Sequence, residues 1–234
     1  IMGMGVGGLM KEIPSRPLPR TTAAPRRHRD EQSAPRFATV ILAAGQSRRM
    51  GTLNKLLIEV DGKLMARHAI DAARVAGTDP IIVVTGHVAE DVQNALGDDV
   101  LYVHNPEYAQ GLSTSLRVGI NAIPDSCDGA LVTLGDMPRI TATHLKQLLL
   151  SHDPDEGHVI CVPTWRGKRG NPVLWDRRFF DDMASLGGDV GAKHLIGDNA
   201  DLVCEVEMQD DAVLVDVDSP EALESLVARG MEIK

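Results

Sequence analysis

The chain has 234 residues, 43% of them hydrophobic, and a formal net charge of -9. This length suits one sizeable globular domain with a short appendage. The negative charge and an aromatic content of 3% argue against nucleic acid as the main partner, because base recognition uses cationic surfaces and stacking rings.

The sequence contains no pattern typical of membrane insertion or export. Its longest apolar run, residues 37–44, is far shorter than the roughly 20 residues that span a bilayer. The three cysteines, Cys127, Cys161 and Cys204, are far apart in the sequence and form no CxxC pair. We therefore expect free thiols and a cytoplasmic protein that binds no membrane.

Residues 1–36 differ in composition from everything that follows. They carry seven lysines or arginines, three acidic residues and five prolines, and their apolar residues show no period. We predict a disordered, basic, proline-rich tail, followed by one domain over residues 37–234. A contact between the tail and the acidic body or an anionic partner stays open.

From residue 37 the pattern alternates short β-branched runs with longer amphipathic ones. Continuous apolar runs predict strands covered on both faces, and three-to-four-residue periods predict helices. This order predicts a three-layer α/β/α, Rossmann-like fold with a mainly parallel sheet. The predicted strands are 40–43, 81–84, 101–103, 130–134 and 159–162, and the predicted helices are 64–76, 88–96, 113–122 and 141–150.

The last part of the chain is less regular. Residues 163–200 are rich in glycine and are predicted as loops. The run Val213–Val215 predicts one further strand. Ser219 followed by Pro220 predicts the start of a last helix, because serine caps a helix and proline fits its first turn.

A basic loop follows the first predicted strand. It carries Arg48, Arg49 and Lys55 and no acidic residue. Gly45 and Gly51 allow its backbone to approach an anion closely, and backbone N–H groups with cationic side chains bind phosphates. Neither the GxxxxGK[ST] nor the GxGxxG pattern is present. We predict a phosphate-binding loop of another kind, with a solvated basic turn as the alternative.

Acidic residues stand at the carboxyl ends of two predicted strands. Asp136 follows strand 130–134, and Asp216 and Asp218 follow Val213–Val215. Ligands of open α/β sheets bind at this edge, and Mg²⁺ prefers oxygen ligands. Asp136 is therefore a predicted Mg²⁺ ligand, and one of the two later aspartates is predicted to complete the metal site. The alternatives are an ordinary turn and charge pairing at a helix N-terminus.

These motifs together resemble those of the MobA-like nucleotidyltransferases, and most of all the molybdenum cofactor cytidylyltransferases. The resemblance covers about residues 37–229 and implies a fold of the nucleotide-diphospho-sugar transferase type. Ala44 and the GLSTSL stretch favour cytidine, because the guanylyltransferase branch more often reads LAGG in the first loop and has a different base-pocket pattern. The motifs are LAAGQSRRMGTLNKLL, LGDMP and DVDSPEAL, with the shorter stretches TGH, NPEYAQGLSTSL, GNPV and GDVGAK.

The resemblance implies transfer of CMP from CTP to the phosphate of a molybdopterin-type acceptor, with release of pyrophosphate and Mg²⁺ as cofactor. Fixed positive groups would stabilise the charge that grows on the phosphates. The resemblance assigns Arg49 to the β- and γ-phosphates, Lys55 to the α-phosphate, and Asp136 with Asp218 to Mg²⁺. A molybdoenzyme or its maturation chaperone is a candidate partner.

The resemblance also assigns residues to the two substrates. The nucleotide-binding set is Ala43, Ala44, Gly45, Gly51, Thr85, Gly86, Asn105, Gly111, Ser113 and Ser115. The acceptor-binding set is Gly170, Asn171, Gly188, Asp189 and Lys193. Asn105 and Ser113 are equally explained as turn or cap residues, and Lys193 as a surface lysine. For Trp165 and Trp175 we expect ordinary packing rather than a stacking wall for a pterin.

Other functions on the same fold stay open. The domain could be a guanylyl- or sugar-phosphate nucleotidyltransferase, an oxidoreductase of small heteroaromatics, or a non-catalytic cofactor-binding chaperone. No nicotinamide fingerprint is visible in the sequence, and the set of Arg49, Lys55, Asp136 and Asp218 argues against pure binding.

Overall fold

A mixed sheet lies at the centre of the computed structural model, which describes residues 34–50, 54–187 and 192–234. All strands join this sheet except β2 and β3, which form a separate antiparallel hairpin. In chain order the strands are β1 (Phe37–Ala43), β2 (Glu59–Val60), β3 (Lys63–Leu64), β4 (Ile81–Thr85), β5 (Leu101–His104), β6 (Gly129–Leu134), β7 (Ile160–Trp165), β8 (Lys168–Arg169), β9 (Val173–Asp176) and β10 (Val203–Glu207).

Most neighbours in the sheet run parallel, as predicted. The order is β10-β7-β9-β6-β1-β4-β5, with β8 paired to β7. β1 pairs parallel with β4 and β6, β4 with β5, and β7 with β10. β9 lies between β6 and β7 and runs antiparallel to both. The carboxyl ends of the parallel strands therefore share one edge with the beginning of β9.

Helices cover both faces of the sheet, which confirms the three-layer prediction. Alternate residues of β1 face opposite layers: Ile41 packs in the cluster that contains α1 and α4, and Val40 in the cluster that contains α3 and α5. No helix of the described residues has the length and apolar character needed to cross a bilayer. In chain order the helices are α1 (Met65–Ala76), α2 (Ala89–Leu96), α3 (Leu112–Asn121), α4 (Ala142–Leu150), α5 (Phe180–Ala184), α6 (Lys193–Asp198) and α7 (Pro220–Ala228).

Two predicted helix starts are confirmed by their caps. Thr141 and His144 form a reciprocal capping box at the start of α4. Ser219 Oγ accepts a hydrogen bond of 3.3 Å from the Ala222 N–H, and Pro220 is the first residue of α7. Local side-chain chemistry thus determines where these two helices begin.

The predictions after residue 163 need correction. The stretch predicted as loops contains β8, β9, α5 and α6, and β10 follows it. The predicted strand Val213–Val215 is wrong, because Asp211–Leu214 form a 3₁₀ turn. The Asp210 side chain accepts from the Ala212 N–H at 2.7 Å and so stabilises the turn. Burial of Val213 gives this short apolar run the same sequence signature as a strand.

The cysteines are free thiols, although two of them are close in space. Cys161 and Cys204 are direct partners in the parallel pairing of β7 with β10. Burial, with the Cys204 thiol beside it, raises the pKa of Cys161 to about 12. A thiol with such a pKa stays protonated and unreactive at neutral pH.

Residues 1–33 of the predicted tail lie outside the described residues. Residues 34–234 form one compact unit. Within this unit, the Arg36 N–H donates a hydrogen bond to Asp128 Oδ2 at 2.7 Å. The domain boundary at residue 37 and the disorder of the tail stay predictions.

Candidate active site

The register of the parallel strands brings the predicted site residues to one edge of the sheet. Leu42 of β1 pairs with Leu134 of β6, and Ala43 pairs with Thr85 of β4. The loops that follow these strands therefore start level with each other. Asp136, two residues beyond β6, lies directly beside the loop that follows β1.

A cavity of about 400 Å³ opens at this edge. The loop after β1 and the first turn of α3 form much of its wall. Gln46, Ser47, Tyr108, Ala109 and Leu112 also line the cavity; they lie in the motifs quoted above but not in the predicted sets of site residues. The predicted site residues that line it are Ala43, Ala44, Gly45, Lys55, Gly111, Ser115 and Asp136.

The Lys55 ammonium joins the two predicted metal-binding carboxylates. Its Nζ donates to Asp136 Oδ2 and, at 2.5 Å, to Asp218 Oδ1. Lys55 and Asp136 are each only 8% exposed. The position of Lys55 follows from a local turn, in which Asn54 Oδ1 accepts from the Leu56 N–H at 3.1 Å and Leu56 is buried.

A buried valine holds Asp218 next to Asp136. The Val217 N–H donates to the Asp136 carbonyl oxygen at 3.0 Å. The Val217 side chain is fully buried against Val60, Met65 and Leu226. Packing of α7 on the small hairpin thus fixes the backbone between Asp216 and Asp218.

The charges of this cluster are coupled through direct contact. Burial lowers the pKa of Lys55, but Asp136 and Asp218 outweigh it, and the net pKa lies above the ordinary value. Burial raises the pKa of Asp136 against the opposing effect of Lys55. Burial also acts to raise the pKa of Asp218, yet hydrogen bonding to Lys55 brings it below its usual range. One ammonium is thus shared between two carboxylates.

The carboxylate pair fits a divalent cation. Asp136 Oδ1 is buried and accepts no hydrogen bond from the described residues. Burying such an oxygen costs folding free energy unless a cation or a hydrogen-bond donor binds it. Among these residues no three His, Cys, Asp or Glu side chains form a metal-binding group. Two carboxylates suit Mg²⁺, which keeps several waters and binds substrate phosphates.

Two further charged groups flank the pair. The Arg49 guanidinium is 3.7 Å from Asp218 Oδ2 and its side chain is 74% exposed, so it lies at the rim and not in the cavity wall. Burial and a hydrogen bond to Asp218 raise the pKa of Asp216. Of the two candidates that the sequence left open, Asp218 is the one that contacts Lys55.

Several predicted nucleotide-binding residues lie behind the cavity wall. Thr85, Asn105 and Ser113 are fully buried. Asn105 Nδ2 donates to the hydroxyls of Thr114 and Ser115 at 2.9 Å each. Asn105 therefore positions the first turn of α3, as a turn or cap residue would. The predicted Gly51 lies outside the described residues.

Gly86 allows a close contact between two parts of the wall. A Cβ at this position would lie 2.6 Å from the Tyr108 Cβ and 2.8 Å from the Ala44 Cβ. The Tyr108 ring also packs at a tilt near His87, with 6.0 Å between the ring centroids. The sequence signal that could have identified Tyr108 as a cavity residue is its place in the NPEYAQG stretch, between the end of β5 and the start of α3.

The predicted acceptor residues divide into two groups. Val132 pairs with Val173 in the antiparallel pair of β6 and β9, which brings Asn171 level with the end of β6. The Asn171 N–H donates to the Val213 oxygen at 2.9 Å, and a Cβ on Gly170 would lie 2.1 Å from that oxygen. Gly170 and Asn171 thus reach the same sheet edge as Asp136.

The other acceptor predictions are not brought to the cavity. Lys193 is exposed at the start of α6 and does not line it. Gly188 and Asp189 lie outside the described residues. Trp175 is buried and packs edge-on against Phe179, with 5.9 Å between the ring centroids, which confirms ordinary packing. Trp165 is half-buried, and the Arg166 guanidinium carbon lies 5.0 Å from the centroid of the Trp165 ring.

Comparison with protein families agrees with this geometry. Residues 39–203 match the family model of the MobA-like NTP transferase domain. The chain belongs to this family. The family and its structural relatives support nucleotidyl transfer as the reaction class.

Among curated proteins, the bifunctional protein GlmU of Staphylococcus saprophyticus is 33% identical to this MobA-like chain over 124 residues. The match covers 53% of this chain and 27% of that protein. A GlmU of Staphylococcus carnosus is 34% identical over 155 residues, 66% of this chain and 33% of that protein. The chain therefore spans about a quarter to a third of the length of these curated relatives.

Two solved structures resemble the MobA-like chain over most of its length. Rv0371c of Mycobacterium tuberculosis is 28% identical with a TM-score of 0.71, covering 82% of this chain and 98% of that one. Another structure of Rv0371c is a complex with manganese. A nucleotidyl transferase from Methanothermobacter, Mth528, is 25% identical with a TM-score of 0.73, covering 84% and 98%.

Proposed function

We propose that this protein transfers CMP from CTP to the phosphate of a molybdopterin-type acceptor and releases pyrophosphate, with Mg²⁺ as cofactor. The observation that carries the proposal is the buried Lys55 ammonium, held between Asp136 and Asp218 beside the phosphate-loop cavity. Family membership supports the reaction class, and the motifs of the cytidylyltransferase branch support the finer assignment.

The loop after β1 is the proposed phosphate site. Its backbone at Gly45 and Ser47 lines the cavity, and Lys55 provides a buried positive charge there. Negative charge grows on the α-phosphate oxygens and on pyrophosphate during transfer. A fixed ammonium stabilises that charge more strongly inside the protein than in water. Arg49, at the rim, is positioned for the terminal phosphates.

The proposed base site is narrow. Ala44 lines the cavity and its Cβ is packed beside Gly86 and Tyr108. We infer that the methyl group, which a glycine at this position lacks, leaves less room for a base beside Gly86 and Tyr108. This favours a single-ring base over a purine and supports CTP over GTP.

Asp136 and Asp218 are the proposed Mg²⁺ ligands. The unpartnered, buried Asp136 Oδ1 supports this assignment, as does the manganese complex of the related Rv0371c. When bound, a divalent cation would supply positive charge to the phosphates of the nucleotide. The two aspartates would hold it and orient those phosphates relative to Lys55.

The acceptor is proposed to approach over Asn171, level with the carboxyl end of β6. Its terminal phosphate oxygen is already ionised at neutral pH, so attack on the α-phosphorus needs no general base. The product would pass to a molybdoenzyme or its maturation chaperone in the cytoplasm.

The proposal is tested by a nucleotide panel with detection of pyrophosphate. Purified protein is mixed with Mg²⁺, molybdenum-loaded pterin and one of CTP, GTP, UTP or ATP, and CTP should react fastest by far. Equal rates with CTP and GTP would contradict the cytidine assignment. Release only when a sugar phosphate replaces the pterin would indicate a sugar-phosphate nucleotidyltransferase. No release with any triphosphate would favour a binding role.

A paired variant tests the base site. Ala44→Gly should shift the ratio of CTP to GTP turnover toward GTP, because it removes the methyl group that narrows the cavity. Ala109→Gly is the matched control, since Ala109 also lines the cavity but is exposed. An unchanged ratio in Ala44→Gly would show that base selection lies elsewhere.

A further inference from the structure

The Lys55 side chain binds the same two carboxylates that are proposed to hold the metal. The Lys55 ammonium contacts Asp136 Oδ2 and Asp218 Oδ1 at the same time. An ion that binds Asp136 Oδ2 and Asp218 Oδ1 together must lie between them, where the Lys55 Nζ is found. Two cations cannot share that space, because they would overlap and repel each other at very short range.

The Lys55 side chain is held inside the protein. Its side chain is 10% exposed, as against 47% for Asp218. The other cation near the pair, Arg49, touches only the outer oxygen of Asp218, at 3.7 Å. Lys55 alone among the described cationic side chains bridges both carboxylates.

The cluster nevertheless keeps a free ligand for a metal. Asp136 Oδ1 is buried and receives no hydrogen bond from the described residues. The ammonium therefore satisfies only part of the negative charge of the pair. This arrangement suits a side chain that occupies the pair in one state and leaves it in another.

We propose that Lys55 is a built-in competitor of the divalent cation, which releases the carboxylate pair when the α-phosphate of the nucleotide draws the ammonium away. Nucleotide and metal then bind cooperatively, because each strengthens the binding of the other. This inference rests on the proposed function, since it assumes that Asp136 and Asp218 hold the metal.

The test measures Mn²⁺ binding to the full-length protein without nucleotide, from the electron paramagnetic resonance signal of free Mn²⁺. Wild type should bind weakly, and Lys55→Met should bind at least about tenfold more tightly, the effect of removing a competing charge at close range. Arg49→Met is the matched control and should change the affinity less than threefold. Adding Asp136→Asn to Lys55→Met should abolish the gain.

The outcomes separate this inference from the proposed function. Equal Mn²⁺ affinity in wild type and Lys55→Met, or an equal gain in Arg49→Met, would overturn the competition. Tighter Mn²⁺ binding by Lys55→Met, together with no pyrophosphate release by the wild-type protein from any triphosphate, would keep the competition and remove the proposed reaction. Circular dichroism checks folding, and if Lys55→Met does not fold, Lys55→Gln replaces it under the same criteria.

Discussion

Two charge clusters of similar composition differ in their surroundings. The Lys55 cluster consists of Lys55, Asp136 and Asp218, at the sheet edge. The Arg67 cluster joins α1 to the segment between α2 and β5, and consists of Arg67, Asp71, Arg74 and Asp99. Side chains of the Arg67 cluster are 25–44% exposed, whereas the side chains of Lys55 and Asp136 are 10% and 12% exposed and only that of Asp218 reaches 47%.

The Arg67 cluster is an internally complete surface network. Arg67 donates to both oxygens of Asp99, at 2.8 and 2.6 Å, and to Asp71 at 3.0 Å. A fourth hydrogen bond runs from its guanidinium to the Leu96 carbonyl oxygen at 2.8 Å. Water screens such pairs, so the network makes only a small contribution to stability.

The Lys55 cluster is buried at Lys55 and Asp136, open to solvent at Asp218, and incomplete. It holds more negative than positive charge, and Asp136 Oδ1 is left without a donor among the described residues. A buried excess of charge destabilises a fold, which makes such a cluster a candidate for ligand binding. Burial and unmet hydrogen bonding, rather than residue type, distinguish the two clusters.

The largest effect is expected at Asp136. Asp136→Asn should lower pyrophosphate release by about 10²–10³-fold, the size of the loss when one electrostatic group of an active site is removed. Circular dichroism should show a preserved fold. Asp71→Asn, in the exposed cluster, should stay within twofold of wild type. Turnover of Asp136→Asn near that of wild type would remove the distinction between the clusters.

A somewhat smaller loss is expected at the cation. Lys55→Met should lower pyrophosphate release by about 10²-fold, because the charge that grows on the α-phosphate loses its ammonium. Lys63→Met is the control, since Lys63 is an exposed lysine that bonds Asp71 at 2.7 Å. If both variants lose turnover equally, burial of Lys55 has no special role.

Asn105 tests whether a buried polar residue at the site can serve the fold alone. Asn105→Ala should reduce the free energy of unfolding by about 1–3 kcal/mol, since its partners in α3 lose a buried donor. In a domain of this size that corresponds to a fall in melting temperature of roughly 2–4 °C per kcal/mol. The exposed Gln110→Ala serves as control. A direct nucleotide ligand would instead show a raised KM with an unchanged melting temperature.

The smallest effect is expected in the Arg67 cluster and depends on pH. The hydrogen bonds from Arg67 lower the pKa of Asp99 to about 2, below its unfolded value. The resulting stability is present above the unfolded pKa and is lost as the pH falls toward 2. Asp99→Asn should lower the free energy of unfolding at pH 7 by less than about 1 kcal/mol, because the pair is exposed and screened.

Thermal melts at several pH values check this last prediction. The difference between Asp99→Asn and wild type should narrow as the pH falls from 5 toward 2, while pyrophosphate release at pH 7 stays unchanged. A difference that is constant across this range would mean that Asp99 stabilises the protein through its shape and not its charge.

Apart from the short hairpin of β2 and β3, the main strands and helices up to residue 162 could be predicted from the sequence, because their signals are local. A buried parallel strand such as Ile81–Thr85 is a continuous apolar run, and the start of α4 is marked by the cap Thr141. After residue 163 the elements are short, and β9 is defined by its antiparallel place between β6 and β7. A short apolar run carries no information on such a partner.

The sequence by itself determined that a basic loop and Asp136 each follow a buried strand, and parallel strands place such ends on one edge. Only the tertiary structure decided how the charges meet. Lys55 contacts carboxylates 81 and 163 residues away, and buried Val217 sets the position of Asp218. Periodicity and capping report contacts within a few residues, whereas these distances depend on how distant segments pack.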